Sequence, residues 1–509
     1  MASSPQFARH SQRVGAVPTA VRMWQGFGAV PIGVKDFAFR SFVLLYYNQV
    51  LGLSAATAGI ILFVALVIDA FTDPWVGHLS DQFRHRLGRR HPFMLASLLP
   101  FSLAIYALFA PPAWVMAHLA IWMLLCTVLV RLAFTFFAVP WHAMFAELTD
   151  DYLERSALVA WRFAVGWLFG ILFFYASYAW LFAASPEFEQ GQLNPNNYPD
   201  FALLLALTVF AGGAITTFFT LNQVPYLHHP VESDTAADSF WNNLLQAKDN
   251  RDFLILFFAV LASSVVIGTN QALEIYVNTY FWGFGGEELR FMAMTAFGGL
   301  FAFLTVGLVQ KRIDKKYLLV GGSVLIMLTT ATPVTLKLFG LLPENGSTSL
   351  LVILVSVATC NAYLATIALI MFGSMVADTL DLQELRTGKR QEGLFNAAIA
   401  FSGKATTGVG ILIAGLLLQY VVGIPQGNSG GGPAAVSQAV VTAEMGWRIA
   451  ILDAYVVPAF NLVWLYLAMQ YSISRDTHAQ IREKLQQMRY GHERLGENQK
   501  TSGEVEHGV

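Results

Sequence analysis

Residues 57–90 read TAGIILFVALVIDAFTDPWVGHLSDQFRHRLGRR and combine an apolar run with an unusual set of charges. The run opens with about 22 mostly apolar residues, enough for a helix to cross roughly 30 Å of hydrocarbon. Asp69 and Asp73 lie inside this run, and four arginines follow it within residues 84–90. Arginines concentrate on the cytoplasmic side of membrane helices. The stretch therefore predicts a membrane-spanning helix that carries two carboxylates and ends at the cytoplasm.

The composition of the whole chain also indicates a membrane protein. Of its 509 residues, 55% are hydrophobic and 13% are charged, whereas an average soluble domain carries about 25% charged residues. So few charges could not coat the surface of a soluble protein of this size. The formal net charge of -2 provides no basic field to attract a nucleic acid. We therefore expect the lipid bilayer as a partner and no nucleic acid, and we exclude a soluble enzyme and a disordered scaffold.

Twelve apolar segments of membrane-spanning length occur along the chain. They are continuous rather than alternating, which predicts helices and not the strands of a β-barrel. We place them at approximately residues 28–51, 57–78, 92–111, 117–140, 157–182, 201–222, 253–281, 291–309, 317–340, 350–375, 394–421 and 447–471. The predicted fold class is an all-α membrane protein with twelve transmembrane helices in two six-helix bundles.

Polar segments divide the chain into five regions. We predict a cytoplasmic N-terminal segment at 1–27, a six-helix bundle at 28–222, a cytoplasmic linker at 223–252, a second six-helix bundle at 253–473 and a cytoplasmic tail at 474–509. Ile481, Leu485 and Met488 stand at helical spacing in the tail, so a short amphipathic helix is an alternative there. We favour a solvated tail.

The distribution of basic residues predicts the orientation. Of the 31 lysines and arginines, 23 fall in segments that are cytoplasmic when the N-terminus is inside, and three fall in or beside the opposite loops. Such a bias predicts that both termini are cytoplasmic. The short loops favour a bacterial inner membrane, and a chain that contains both bundles predicts a monomer.

Ionisable residues inside the predicted spans are the candidates for function, because each is costly in hydrocarbon. Equal numbers of basic and acidic residues suit a water-filled transport path. The basic ones are Lys35, Arg40, Arg131, Arg162 and Lys404, and the acidic ones are Asp36, Asp69, Asp73, Glu274 and Asp453. Among these we interpret Arg40, Arg131 and Asp453 as structural charges.

The spacing of Asp69 and Asp73 predicts a cation site. Residues four positions apart share one face of a helix, and two like charges there repel unless a cation lies between them or one of them is protonated. Such a site would bind Na⁺ through oxygen ligands or carry a proton. The alternative is that these acids pair with Arg162 or Lys404 only to hold helices together.

Polar groups in other spans predict a substrate site. Asp36 could accept hydrogen bonds from sugar hydroxyls while Lys35 or Arg162 balances its charge, although a buried Lys35–Asp36 ion pair is an alternative. Trp141 could stack on a sugar ring or anchor its helix at the membrane interface. Further cavity-lining candidates come from a polar part of the seventh span: Asn270 and Glu274.

Several motifs resemble a known family of transporters. The loop GHLSDQFRHRLGRR at 77–90 resembles the Gly-x-x-x-Asp-x-x-Gly-Arg-Arg pattern of the major facilitator superfamily, with extra residues before the second glycine. More specific matches are KDF at 35–37, DAFTDP at 69–74, WRF at 161–163 and DTLDLQELRTGKRQEG at 378–393. Together they are similar to the glycoside–pentoside–hexuronide:cation symporters of the melibiose permease type.

The resemblance implies roles for individual residues. It implies cation binding by Asp69, Asp73 and Thr135, with Lys404 close by. It implies sugar binding by Asp36, Lys35 and Arg162.

The chain also departs from the family pattern. Ala138 and His142 replace an aspartate and a tryptophan of the sugar site, and Thr72 replaces an asparagine of the cation site. The first change argues against a galactoside, and the second weakens the preference for Na⁺ over H⁺. We keep His142 in the predicted substrate site and Thr72 in the predicted cation site.

The predicted function is secondary active symport. Two bundles would rock about a midplane site, and cation binding would favour binding of a small-molecule substrate, a glycoside, by linkage. No cofactor is expected beyond the coupling ion, H⁺ or Na⁺, and no other metal. Asp81, Arg89 and Arg90 of loop 79–91 would form a gate by pairing with acids at helix ends, namely Glu147, Asp150 or Asp378.

Two other functions are alternatives to symport of a sugar. A cation-coupled lipid or drug transporter of the same fold would suit the loss of a carboxylate at Ala138 and the 40 phenylalanines. An intramembrane enzyme is not expected, because His142 lacks partners at the spacing of metal ligands or a nucleophile.

Overall fold

The described chain is helical. The computed structural model describes residues 16–149, 151–227, 250–387, 392–425 and 441–487, and no β-strand occurs in these ranges. Asp150, Met488 and most of the predicted linker, residues 228–249, lie outside the described residues, as do residues 1–15 of the N-terminal segment.

The first bundle begins after a short helix at Thr19–Gly26. Its first helix, α1, runs from Ala29–Ala38 into wider π-helical turns at Phe39–Val43 and Tyr46–Val50. The following helices are α2 (Ala55–Gln82), α3 (His91–Phe109), α4 (Leu119–Leu148), α5 (Tyr152–Ala176) and α6 (Tyr198–Phe219). Within the bundle α2 packs on α4, α3 packs on α4 and α6, and α1 packs on α5 and α6.

The second bundle repeats this plan. Its helices are α7 (Arg251–Tyr276), α8 (Thr295–Arg312), α9 (Lys315–Leu338), α10 (Thr348–Thr387), α11 (Glu392–Leu416) and α12, which comprises Ala443–Ile451, Leu452–Val456, Val457–Ala459 and Asn461–Met469. Here α7 packs on α11 and α12, and α10 packs on α8 and α9.

The helices account for the predicted spans. Ten helices of the described residues are long and apolar enough to cross a membrane, and Thr406–Val422 within and beyond α11 is a shorter apolar helix. With α1, each of the twelve predicted spans corresponds to a helix. The prediction of an all-α membrane protein is confirmed.

Within the described ranges, three helix pairs make the main contacts between the two bundles. The pairs are α2 with α11, α5 with the start of α8, and α1 with α7. Glycines allow the closest approach: a Cβ atom on Gly415 would lie 2.5 Å from the Ala55 carbonyl oxygen, and one on Gly59 would lie 3.3 Å from the Gly415 Cα. Small residues at such crossings bring membrane helices into backbone contact. The α2–α11 crossing therefore joins the bundles at short range.

Hydrogen bonds connect the bundles at the side opposite to loop 83–90, which we call the opposite side. The Tyr280 hydroxyl donates to Gln49 Oε1 at 2.7 Å, and Tyr276 donates to Asn48 Oδ1 at 3.3 Å. Gln192 Nε2 donates to the Phe284 carbonyl at 2.8 Å. These bonds close the opposite side between the two bundles.

The tail is helical where it is described, contrary to the solvated tail that we favoured. Residues 475–487 form a helix whose Ile481 and Leu485 are buried in the apolar core of the second bundle. Arg475 Nη2 donates to the Gln310 carbonyl at 2.6 Å, which fixes the start of this helix on α8. Burial of each of these two apolar side chains stabilises the docked helix by about 1.5–3 kcal/mol. This gain outweighs the hydration of a tail that stays in solvent.

Candidate functional site

The two aspartates of α2 lie together against α4, on one helix face as predicted. Thr135 Oγ1 is 2.9 Å from Asp69 Oδ1 and 2.9 Å from Asp73 Oδ1, so the hydroxyl bridges the pair. The Asp69 side chain is 2% exposed and that of Asp73 is 26% exposed. One carboxylate is therefore enclosed and the other faces solvent.

Two basic side chains neutralise the pair. Lys404 of α11 donates to Asp73 Oδ2 and lies 3.5 Å from Asp69 Oδ2. Arg131 Nη1, one turn before Thr135 on α4, donates to Asp69 Oδ2 at 3.3 Å. Of the two basic partners proposed from the sequence, Lys404 reaches the pair. Arg131, which we interpreted as structural, is also part of this cluster.

Lys404 makes the cluster a contact between the bundles. Asp69, Asp73, Thr135 and Arg131 all belong to the first bundle, whereas Lys404 comes from the second. Its side chain is 38% exposed, so protein atoms enclose it only in part. The charge pair therefore connects the two bundles directly.

The hydroxyl of Thr72 points away from this cluster. Thr72 Oγ1 donates to the backbone carbonyl of Asp69 at 3.2 Å, within α2 itself. This is the usual local bond of a threonine inside a helix. In this arrangement Thr72 provides no ligand between the aspartates, and its assignment to the cation site stays a prediction.

A second pair of charges lies on α1. Lys35 Nζ is 2.7 Å from Asp36 Oδ1, and Lys35 is buried against the Phe134 ring at 3.7 Å from its centroid. The Asp36 side chain is 63% exposed. The ion pair that we considered as an alternative is present, but its carboxylate remains accessible, so it can also accept hydrogen bonds from a ligand.

Arg162 of α5 stacks on α4 instead of reaching the aspartates. Its guanidinium carbon is 3.9 Å from the Trp141 ring centroid, and Nη2 is 2.7 Å from His142 Nδ1. Trp141 is 1% exposed, and its indole N–H donates to the Gln25 carbonyl at 2.9 Å. Trp141 thus holds Arg162 and the N-terminal helix in place, while His142 and Arg162 present polar edges.

A small polar cavity lies between the bundles, toward the opposite side. It measures about 80 Å³ and is lined on one side by Arg40 and Ser41, and on the other by Gln271, Glu274 and Asn278. The cavity holds opposite charges from different bundles. Glu274 lines a cavity as predicted, whereas Arg40, which we interpreted as structural, shares it.

Asn270 faces a different space. It lines a largely apolar cavity of about 460 Å³ inside the second bundle, together with residues such as Ile267, Leu319, Phe372 and Trp464. One helical turn separates Asn270 from Glu274, but the two side chains line separate cavities. The structure therefore corrects the grouping of Asn270 with Glu274 in one site.

The arginine-rich loop pairs with the end of α4. Arg89 Nη2 and Arg90 Nη2 donate to Glu147 Oε1 at 2.8 and 2.7 Å, and Arg90 also pairs with Asp81. The predicted pairing with Glu147 is present within the first bundle. Asp378 pairs with Lys315 of α9 at 2.7 Å instead.

Taken together, these features define the class of protein. Two helical bundles share a charge cluster at their crossing, with a small polar cavity between the bundles and exposed charged groups within the membrane helices, which is the plan of a membrane transporter. Charged groups at such depth are the mark of a substrate or ion path.

The chain belongs to the MFS/sugar transport protein family, whose family model matches residues 24–475. It is a transporter of the major facilitator superfamily and not an enzyme. This agrees with the resemblance to glycoside–pentoside–hexuronide:cation symporters that the motifs indicate.

Relatives agree with this membership, and a solved structure has the same fold. The chain is 23% identical to the inner membrane symporter YicJ of Escherichia coli over 91% of this chain and 93% of that protein. It is 24% identical to the isoprimeverose transporter of Lactiplantibacillus pentosus over 74% and 75%. The xylose transporter XylE of E. coli has the same fold, with a TM-score of 0.55, 11% identity and coverage of 91% and 98%.

Proposed function

We propose that the protein is a secondary active symporter that couples the uptake of a sugar or glycoside to the entry of H⁺ or Na⁺. It would lie in a bacterial inner membrane as a monomer, with both termini in the cytoplasm. The relatives named as a symporter and as an isoprimeverose transporter support this proposal.

The observation that carries the proposal is the contact of Lys404 with the aspartate pair. Lys404 comes from α11 and the two aspartates from α2, so the contact spans the two bundles. A cation that reaches Asp73 competes with the Lys404 ammonium for the same carboxylate. Occupancy of the site therefore changes how strongly the bundles are held together, which is what a coupling ion must do.

Coupling to the substrate follows from the position of the neighbouring charges. Asp36 lies on α1 and Arg162 on α5, and both helices contact the second bundle near α7 and α8. We infer that cation binding favours the arrangement of the bundles in which these groups hold the substrate. By linkage, substrate binding then strengthens cation binding by the same factor. Coupling free energies of this kind are about 1–3 kcal/mol.

The substrate class follows from the exposed polar groups. The Asp36 carboxylate is an acceptor, and Arg162, on the helix α5 that packs against α1, provides donors together with His142. A sugar offers many hydroxyls that both donate and accept, so it suits a site with both kinds of group. We assign the arginine-loop side to the cytoplasm, as the distribution of basic residues predicts.

The test is the movement of ions that a sugar induces. Proteoliposomes or inverted vesicles receive a panel of glucosides, galactosides, pentosides and uronides while external pH and Na⁺ are recorded. We expect one sugar class to move one ion, and we expect the signal to vanish in Asp73→Asn. Glu444→Gln is the matched control, because it neutralises a carboxylate that is 74% exposed and pairs with Arg448 on the same helix.

Two outcomes would count against the proposal. One is silence across the whole panel from a folded protein. The other is a sugar-induced signal that Asp73→Asn leaves intact, which would move the coupling site away from the α2–α11 crossing.

The second candidate is a cation-coupled lipid or drug transporter of the same fold. The apolar cavity of about 460 Å³ in the second bundle favours it, because this volume suits an acyl chain or an apolar drug. The panel separates the two: a lipid or drug transporter would give no sugar-induced signal, but would move the ion when a lysolipid or an apolar cation is added.

A further inference from the structure

We propose that Arg131 is a fixed counter-ion that takes the place of a metal ion in the cation site, so that the protein binds no Na⁺ there. The inference rests on the proposed function, since it concerns the coupling ion of the same site. It adds a specificity-determining residue and leaves the proton as the ion that the symporter carries.

The geometry gives Arg131 a permanent place in the cluster. Its Nη1 is 3.3 Å from Asp69 Oδ2, and its side chain is 10% exposed. Its guanidinium carbon also lies 5.3 Å from the Phe39 ring centroid, which holds the group from the other side. A guanidinium stays charged under all conditions in proteins.

Helix α4 presents Arg131 and Thr135 together. The two residues are four positions apart and therefore share a face, and both donate to Asp69. The guanidinium also interacts electrostatically with Asp36 and Asp73. One face of α4 thus brings a fixed positive charge and a hydroxyl to the carboxylates of α2.

The charges of the cluster sum to zero without a metal ion. Asp69 and Asp73 contribute two negative charges, and Lys404 and Arg131 contribute two positive ones. Either ion, Na⁺ or H⁺, would add one positive charge beside a carboxylate that is 2% exposed, which is unfavourable in a medium of low dielectric constant, but a proton needs a single carboxylate oxygen whereas Na⁺ needs several oxygen ligands.

The oxygen atoms of the pair are engaged as well. Asp69 Oδ1 and Asp73 Oδ1 both lie within 2.9 Å of the Thr135 hydroxyl. Asp69 Oδ2 faces Arg131 and Lys404, and Asp73 Oδ2 faces Lys404. Na⁺ is a hard cation that needs several oxygen ligands at once, but both Oδ2 atoms already accept from a cationic donor, and the two Oδ1 atoms share the single proton of the Thr135 hydroxyl.

Removing the charge of Arg131 reverses this balance. In Arg131→Gln the remaining charges, two carboxylates and one ammonium, leave one negative charge that a monovalent cation can neutralise. Arg131→Lys keeps the charge and serves as the matched control. In a third variant, Arg131→Gln combined with Asp69→Asn, the net charge of the cluster is zero again. This variant should therefore lose the Na⁺ affinity that Arg131→Gln alone gains.

The experiment measures ion binding by the purified full-length protein, without any sugar. NaCl is titrated at constant ionic strength against choline chloride, and thermal unfolding and tryptophan fluorescence are recorded. We expect no Na⁺-specific change in the wild type or in Arg131→Lys. We expect Arg131→Gln to bind Na⁺ at least about tenfold more tightly than the wild type, because one unit charge within about 4 Å is removed.

Either of two results overturns the inference. One is a wild type that Na⁺ stabilises at millimolar concentration, with the effect lost in Asp73→Asn. The other is a folded Arg131→Gln that responds to Na⁺ no more than the wild type. If Arg131→Gln does not fold, the wild-type and Asp73→Asn titrations still decide, since Na⁺ binding in the wild type contradicts the inference and its absence supports it. A failure of sugar transport would leave these titrations unaffected.

Discussion

Asp69 and Asp73 are the same residue type on one face of α2, yet their surroundings differ. Asp69 is enclosed by Thr135, Arg131 and Lys404, whereas Asp73 pairs with Lys404 at the edge of solvent. The spacing of the two aspartates is visible in the sequence. Their partners are not, because Arg131 lies 62 positions from Asp69 and Lys404 lies 335 positions away.

We therefore expect the two aspartates to contribute differently to stability. Asp69→Asn leaves the buried Arg131 guanidinium without its carboxylate, and loss of one partner of a buried ion pair costs about 3–5 kcal/mol. Asp73→Asn leaves the partly exposed Lys404 ammonium without this partner. Loss of such an exposed ion pair lowers the free energy of unfolding by about 1 kcal/mol or less. Thermal unfolding of the purified variants measures the difference.

A double variant provides the control for this prediction. Asp69→Asn combined with Arg131→Gln removes both charges of the pair, so it should recover part of the stability lost in Asp69→Asn. Equal losses for Asp69→Asn and Asp73→Asn, or no recovery in the double variant, would show that Asp69 and Arg131 do not form the enclosed pair described above.

At the scale of the helices, the crossing of α2 and α11 depends on two glycines. Gly59 and Gly415 bring the backbones of the two helices into contact. The apolar runs predict that both helices exist, because their length and continuity are enough for a membrane span. A single apolar run does not show which other helix it crosses. The crossing depends on small residues that are far apart in the chain.

Substitution of Gly415 tests this crossing. In Gly415→Ala the new Cβ would lie 2.5 Å from the Ala55 carbonyl oxygen, so the helices must separate, at a cost of about 1–3 kcal/mol. Gly373→Ala is the matched control, because nothing lies within 4 Å of a Cβ at Gly373. We expect a lower melting temperature and slower transport in Gly415→Ala only; equal behaviour of both variants would argue against a close crossing.

The ends of some helices lie beyond the ends that we predict from the apolar runs. We ended the tenth span at residue 375, but α10 continues to Thr387, and Asp378 near its end pairs with Lys315. A helix extends beyond the hydrocarbon when its charged residues find partners. The tail behaves likewise, since Ile481 and Leu485 dock on the second bundle.

The docked tail leads to a prediction of its own. Leu485→Ala should release the helix at 475–487, because truncation of a buried leucine costs about 2–5 kcal/mol. In limited proteolysis of the purified protein, the segment 475–487 should then be cleaved faster than in the wild type. Gln486→Ala, at an exposed neighbour, should leave the cleavage rate unchanged; equal rates for the two variants would contradict docking of the tail.

At the scale of the whole molecule, the two bundles are closed at the opposite side. Gln49 of α1 accepts from Tyr280, which follows α7, and Gln192 donates to residues beyond α7. The division into two bundles could be predicted from the polar linker and the repeated spans. The closure of the opposite side could not be predicted in this way. It depends on hydrogen bonds between loops and helix ends, and the residues that form them belong to no motif in the sequence.

Weakening these bonds should open the opposite side. In a Ser41→Cys background, Tyr280→Phe combined with Gln192→Leu removes donors between the bundles, so a membrane-impermeant maleimide added from outside should label the introduced thiol several-fold faster. Tyr466→Phe is the control, because Tyr466 is 70% exposed on α12. An unchanged labelling rate in the double variant would mean that other contacts keep the side closed.

The uphill accumulation of sugar tests the proposed symport most directly. Proteoliposomes with equal sugar concentration on both sides receive an inward gradient of H⁺ or Na⁺ while the membrane potential is held at zero. We predict that the wild type raises the internal concentration of its sugar above the external one, driven by H⁺ and not by Na⁺, and that Asp73→Asn does not. A wild type that transports the sugar but never concentrates it, under either gradient, would contradict coupling at the aspartate pair.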